Sequence, residues 1–238
     1  MLTTLPQMSM PALEPKSAVS VRERSALCES HREEMASLVT HGLGVILSVV
    51  ALYAMIIASK GDVTRVVSVS IFGGSLILVY LTSTVYHALT THRAKFFVQW
   101  LDHVSIYILI AGSYTPLTLV TIPGKLGWTL LATVWLLAVI GILLKTLRRR
   151  KGRRGSLMST FVYLGMGWLV LVAAKPVIAE LGMGGVAWIV AGGVFYSAGI
   201  IFFVWKRLKY HHAIWHLFVM AGSYCHVMAV LFYVLAGS

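Results

Sequence analysis

The chain has 238 residues, of which 58% are hydrophobic and only 12% charged, and it carries a formal net charge of +12. A soluble domain holds roughly 25% charged residues, so this composition excludes an ordinary soluble globular domain. The apolar residues fall in blocks near the length of about 20 that a helix needs to cross ~30 Å of hydrocarbon.

In chain order, the blocks cover residues 38–58, 66–89, 104–122, 126–144, 157–179, 185–205 and 213–236. Charged or Gly/Pro-containing breaks separate them, such as Lys60-Gly61-Asp62 and Pro123-Gly124-Lys125. Lipid offers no partner for backbone N–H and C=O groups, so the spans must be helices or a closed barrel. A barrel needs segments of ~10 residues alternating polar and apolar, and these blocks do not alternate. The predicted fold is an all-α membrane protein, a seven-transmembrane helix bundle occupying residues 36–238. Residues 1–35 are polar, contain three prolines and lack an apolar core of signal-peptide length, and are expected to form a flexible cytosolic tail.

The charge distribution orients the bundle. With the N-terminus in the cytosol, sixteen of the twenty Lys and Arg residues lie on the cytosolic side, leaving Lys60, Arg65, Lys125 and Lys175 outside. That asymmetry predicts a cytosolic N-terminus and, for seven spans, an outside C-terminus. The basic run 148–154 then reads as a topology anchor on anionic lipid rather than a nucleic-acid site. Cys28 lies in the tail and Cys225 in the last span, so neither a disulfide framework nor a thiolate metal site is indicated.

An ionisable side chain inside a membrane helix is costly and is a functional candidate by default. The candidates are His41 in the first span, Ser83 and His87 in the second, and Asp102 and His103 at the third. His211, His212, His216 and His226 lie on the seventh. The alternating direction of the spans brings His41, His87, Asp102, His212 and His216 to one depth, near the cytosolic face. Ser83 and His87 are four residues apart, as are His212 and His216, so each pair shares a helical face. Two histidines at that spacing can reach one cation, and a third from another helix leaves a fourth tetrahedral position for water, the arrangement of catalytic zinc. Asp102 is placed to hold and deprotonate that water. By spacing alone, His87, His212, His216 and Asp102 read equally as a metal site and as hydrogen-bonded packing. His31, His92 and His211 read as interfacial residues. His103, pointing ~100° from Asp102, reads as packing or support. His226 lies about 15 Å deeper than His216 and is expected to line a cavity leading to the ion.

One internal similarity stands out. Asp102 and His212 are each followed eleven residues later by the serine of an Ala-Gly-Ser-Tyr sequence, Ser113 and Ser223. Small residues let membrane helices approach closely. The shared offset further predicts equivalent places for the third and seventh spans around the polar layer.

These motifs, taken together, resemble the hemolysin III proteins, bacterial members of the progestin and adipoQ receptor (PAQR) family. The likeness covers about residues 30–236 and rests on four motifs in order: Glu34-x5-Thr40-His41-Gly42, Ser83-Thr84-Val85-Tyr86-His87, Leu101-Asp102-His103 continuing to Ala111-Gly112-Ser113-Tyr114-Thr115-Pro116, and His212-Ala213-Ile214-Trp215-His216 with His226 beyond. The resemblance implies a seven-helix bundle with a cytosolic amino end and a Zn2+ ion bound by His87, His212 and His216. Asp102 would reach the metal through water, and Ser83 would lie beside a substrate carbonyl. Glu34 and His41 carry over as motif members without a role. The wider superfamily includes alkaline ceramidases, which implies metal-dependent hydrolysis of a lipid amide or ester. The compact loops and this likeness imply a multi-pass protein of a bacterial inner membrane, with membrane lipid as substrate or ligand and no nucleic-acid partner.

The same ligands serve a second reading, a non-enzymatic sensor or regulator of membrane state with structural zinc. A pore-forming cytolysin ranks below both, because the spans are apolar throughout, unlike those of a water-soluble toxin that inserts later. A transporter is disfavoured by the absence of paired broken helices or a charged midplane pathway.

Overall fold

The computed structural model describes residues 30–122, 124–150 and 157–236. Most of the expected tail, Cys28, Pro123 and positions 151–154 of the basic run lie outside the described residues. Among the described residues every regular element is helical: α1 (His31–Ala58), α2 (Val63–Ala88), α3 (His92–Pro116), α4 (Gly124–Arg150), α5 (Leu157–Gly167), α6 (Ala174–Val204) and α7 (His211–Ala229). Short π-type turns continue α3 through Leu117–Thr121 and α7 through Val230–Val234, and a 3-10 turn, Trp168–Ala173, joins α5 to α6.

Among the described residues, six helical stretches are long and apolar enough to cross a membrane. One of them, Met158–Val204, runs for 47 residues through α5 and α6. It is interrupted at Gly182, whose backbone takes φ 61 and ψ 179. That combination belongs to a region only glycine occupies without strain.

Helix α1 starts earlier than its apolar block. Residues 31–35, assigned by composition to the tail, form its first turn. Ser30 caps it: the Ser30 Oγ accepts from Glu33 N at 3.4 Å, and the Ser30 N–H donates to Glu33 Oε2 at 3.0 Å. This reciprocal capping box supplies orphan N–H groups with partners. It was legible as Ser30-x-x-Glu33, a polar signal that an apolar-block reading passes over. Glu33 also accepts from the Tyr210 backbone N–H at 2.9 Å. Tyr210 itself has a left-handed φ of 58 just before α7. One carboxylate therefore ties the start of α1 to the start of α7.

The helices pack in sequence, α1 on α2, α2 on α3, α3 on α4 and α6 on α7, and α7 closes back onto α1. The stretch Arg93–Thr121 on α3 is the most buried of the spanning runs. Val39, Ile46, Val50, Tyr53 and Ile57 of α1 are exposed and form an apolar outer face suited to lipid. Inside, Phe72, Leu76, Tyr107 and Val134 belong to the buried core. A Cβ at Gly44 would stand 2.6 Å from the Tyr80 ring, so the missing side chain lets α1 and α2 close at the level of His41.

Two glycines make opposite predictions. Gly182→Ala forces a Cβ into a disfavoured conformation and should lower stability by about 1–3 kcal/mol. Gly74 lies in mid-helix with nothing near the added methyl, so Gly74→Ala should be neutral or stabilising by about 0.5–1 kcal/mol. Thermal melts of the detergent-solubilised variants check both directions.

Candidate metal centre

The site is built where the ends of α2 and α7 meet. His87 sits on the last turn of α2, and His212 and His216 sit on successive turns of α7. The spacing of four places both α7 imidazoles on one face, and His87 approaches them from across the bundle. Ring centroids are 5.1 Å apart for His87–His212, 5.2 Å for His87–His216 and 4.6 Å for His212–His216. One ring nitrogen from each of the three lies within 4.8 Å of the others. Nitrogens sharing a tetrahedral ion at ~2.0–2.1 Å stand roughly 3.4 Å apart, a closure that small side-chain rotations supply. These three side chains can hold a metal ion.

Partners around the cluster set which nitrogen faces inward. The His87 Nδ1 lies 2.6 Å from Glu34 Oε2. A carboxylate only accepts, so Nδ1 carries the proton and donates, leaving the Nε2 lone pair free. That Nε2 is buried and has no hydrogen-bond partner. An orphaned buried acceptor is costly, and a cation among the three imidazoles would remove the cost. His216 follows the same logic. Its Nδ1 is 3.3 Å from the Ser37 carbonyl and 3.3 Å from Thr40 Oγ1. The Thr40 hydroxyl proton is already directed at the carbonyls of Ala36 and Ser37, each 2.9 Å away. The His216 Nδ1–H therefore points into α1, and Nε2 points away from it.

Glu34 thus has a geometric place that its motif alone did not give. It fixes the ring of His87, and its other oxygen accepts from Lys95 Nζ at 2.6 Å. Carboxylate–histidine pairs of this kind orient metal ligands and raise their basicity. Sequence reasoning gave Thr40 as a motif member without a role and assigned no part in the site to Lys95 or Ser37. Glu34 and His87 are 53 positions apart, and nothing in their local spacing announces the bond. His41 is 4% exposed and stacks on His216, with centroids 3.4 Å apart and rings 16° from parallel. Tyr80 meets its edge at 5.1 Å. Both His41 ring nitrogens are buried without partners.

A cavity of about 920 Å³ opens beside the cluster, lined among others by Glu34, His41, Ser83, Asp102 and His226. Ser83 is buried and adjoins the Asp102 carboxyl group. His103 Nδ1 stands 3.8 Å from Asp102 Oδ2 and donates to the Gln99 carbonyl at 2.6 Å, which leaves it as support beside Asp102. His226 reaches the cavity wall at greater depth, its ring edge-on to Tyr196 at 5.5 Å.

Ser223 behaves differently from Ser113, contrary to the equivalence their shared sequence predicts. Ser113 lines the cavity. Ser223 is held between two tyrosines, with Tyr80 Oη 2.7 Å away and Tyr196 Oη 2.9 Å away. The tyrosines that follow also diverge. The Tyr114 hydroxyl donates to the Met166 and Gly167 carbonyls and accepts from Val170 N–H, whereas Tyr224 is exposed. The difference follows from neighbours: α3 is enclosed within the bundle and α7 presents one side outward.

Residues 29–227 match the family model described as "Haemolysin-III related". The chain is 47% identical over 204 residues to "Hemolysin-3 homolog" of Bacillus subtilis (strain 168), covering 85% of this chain and 94% of that protein. It is 47% identical over 206 residues to "Hemolysin-3" of Bacillus cereus, covering 86% and 93%. A more distant likeness is to "Monocyte to macrophage differentiation factor" of Homo sapiens, 26% identical over 207 residues and covering 83% of each chain.

If Glu34 orients His87, Glu34→Ala should weaken metal affinity about 10–100-fold, the usual effect of losing such a partner. Lys95→Met should have a smaller effect, since Lys95 reaches His87 only through the Glu34 carboxylate. Competition with a chromogenic chelator at fixed pH measures both; unchanged affinity in Glu34→Ala would remove the supporting role.

Proposed function

The chain belongs to the haemolysin-III related family, and from that premise we propose that it is a zinc-dependent hydrolase of a lipid amide or ester, embedded in a bacterial inner membrane. The observation that carries this reading is the orphaned His87 Nε2, converging with His212 and His216 on a large cavity that Asp102 and Ser83 also line.

The reading includes seven crossings with the N-terminus inside and the C-terminus outside. The 47-residue run Met158–Val204 would extend about 70 Å as one helix, more than twice the hydrocarbon thickness. A reversal at Gly182, where the backbone leaves helical geometry, would divide it into two spans of suitable length. The sixteen-to-four distribution of Lys and Arg supports the same orientation.

A zinc ion bound by the three imidazoles supplies Lewis acidity that polarises a carbonyl and acidifies a water. The protein's own groups do the rest. Glu34 and Ser37 hold the rings of His87 and His216 in register, so that the ligand set is formed before substrate arrives. Asp102 accepts the proton of the attacking water as the new C–O bond forms. It then returns that proton to the departing nitrogen or oxygen as the C–N or C–O bond breaks. The Ser83 hydroxyl donates to the carbonyl oxygen as negative charge develops there.

Removing the general base alone should cost about 10²–10⁴-fold in turnover. Asp102→Asn is therefore expected to retain its metal and lose product formation in a screen of lipid amides and esters. Wild-type turnover in that variant would sink the mechanism. An intact membrane phenotype in cells carrying it would favour a sensor with structural zinc. For topology, a reporter fused after Ser238 should be active only on the face opposite one fused at Met1; activity on the same face would mean an even number of crossings.

A further inference from the structure

The lining of the large cavity advances up α3 to Tyr114, up α7 to His226, through α5 to Trp168 and back along α6 to Gly193. A second pocket, of about 60 Å³, takes over where each of these four runs stops, with Leu117, Val230, Leu171 and Ile189 in its wall. Tyr114, Trp168, Gly193 and His226 line both spaces and so stand at the boundary between them. Trp168 is the largest side chain of these four, and the hydrolytic mechanism gives it no task.

Two neighbouring helices fix this indole in place. Its Nε1–H donates to Ser197 Oγ at 3.1 Å, and the Ser197 hydroxyl donates to the Gly193 carbonyl at 2.7 Å. A Cβ at Gly193 would stand 3.2 Å from the indole, so the missing side chain lets the ring lie close against α6. Trp168 also opens the 3-10 turn Trp168–Ala173. The Tyr114 hydroxyl of α3 pins that turn, accepting from Val170 N–H at 2.8 Å and lying 2.9 Å from the Met166 and Gly167 carbonyls. An indole bonded at its nitrogen and packed on its face resists swinging aside.

The depth of the ring follows from helix geometry. His226 packs against Gly192 and Trp168 against Gly193, neighbours on α6, so the two side chains lie at one level. His226 follows His216 on α7 by about 15 Å of helical rise. That is about half the ~30 Å hydrocarbon thickness, the depth of one leaflet's chains. An extended chain advances about 1.2 Å per bond, so about twelve carbons fit between the histidines and Trp168. Ile106, Leu109, Ile110 and Ile200 belong to the cavity wall, an apolar surface for methylenes.

We propose that Trp168 is a specificity-determining residue that ends the acyl site. A substrate whose carbonyl reaches the histidines lays its chain along the α3 wall towards Trp168, and the ring excludes chains much longer than about twelve carbons. The small pocket beyond the ring is the space a longer chain would need. This limits the substrate class of the hydrolase reading to lipids of medium chain length and rests on that reading, but selection by length is measurable without turnover.

The test uses tritiated dodecanoate, the kind of product that an amide or an ester would leave, bound to the purified full-length protein in a neutral detergent. Unlabelled dodecanoate and octadecanoate compete for it at equal mole fraction in the micelle. Overfilling a closed, packed space is disfavoured about tenfold. Octadecanoate should therefore displace the label from wild type about tenfold less well than dodecanoate does. Trp168→Ala, which joins the two spaces, should remove that difference. Trp168→Phe, with a smaller ring, should leave an intermediate one and serves if the alanine variant does not fold. Equal displacement by the two acids in wild type, no saturable binding of dodecanoate, or an undiminished difference in either variant with an unchanged melting curve would overturn the limit. A length limit in a protein that cleaves none of the corresponding amides and esters would uphold the role of Trp168 and remove the hydrolase. Cleavage of both lengths at equal rates would do the reverse.

Discussion

A buried imidazole between membrane helices must find its partners among its neighbours, and this constraint organises the centre of the molecule. His87 and His216 meet it on one edge only. Their Nδ1 atoms are committed to Glu34 and to Ser37 with Thr40, which turns the opposite edges towards each other and towards His212. Without a cation, ring nitrogens of the three histidines converge in a space that offers His87 Nε2 no hydrogen-bond partner. The neighbouring packing is arranged around that convergence: His41 stacks on His216, and Gly44 lets the Tyr80 ring reach the same level.

The start of α1 holds more of this together than its exposed position suggests. Ser30 and Glu33 begin the helix, Glu33 reaches across to Tyr210, and the next residue, Glu34, reaches His87 and Lys95. Two adjacent carboxylates thereby tie α1 to α7, α2 and α3. The register they set carries Ser37 and Thr40 to His216. A polar segment that composition assigns to a tail thus belongs to the architecture of the site.

What was legible in the sequence follows from periodicity and from local spacing. Apolar blocks of membrane length gave the helices, and the i, i+4 pairs gave His87 a shared face with Ser83 and His212 one with His216. The shared lining of one cavity by Ser83, His87, Asp102, His212 and His216 is what that spacing and the alternating spans anticipate. Contacts between distant positions left no such mark. Glu34 with His87, and Tyr80 and Tyr196 with Ser223, are decided by how helices turn about their axes. The matching Ala-Gly-Ser-Tyr segments show the limit most clearly, since identical residues point one serine into the cavity and lodge the other between tyrosines. The interruption at Gly182 was legible, since it falls in the segment Glu180-Leu181-Gly182-Met183-Gly184, one acid and two glycines between the apolar blocks 157–179 and 185–205.

We propose that His87, His212 and His216 bind zinc. Metal analysis of the purified full-length protein in detergent, beside a folded His212→Ala/His216→Ala variant, tests it most directly. About one zinc per chain is expected in the wild type, and its loss from the variant. A wild-type protein that holds no zinc, even after zinc is supplied, would contradict it and reduce the cluster to polar packing.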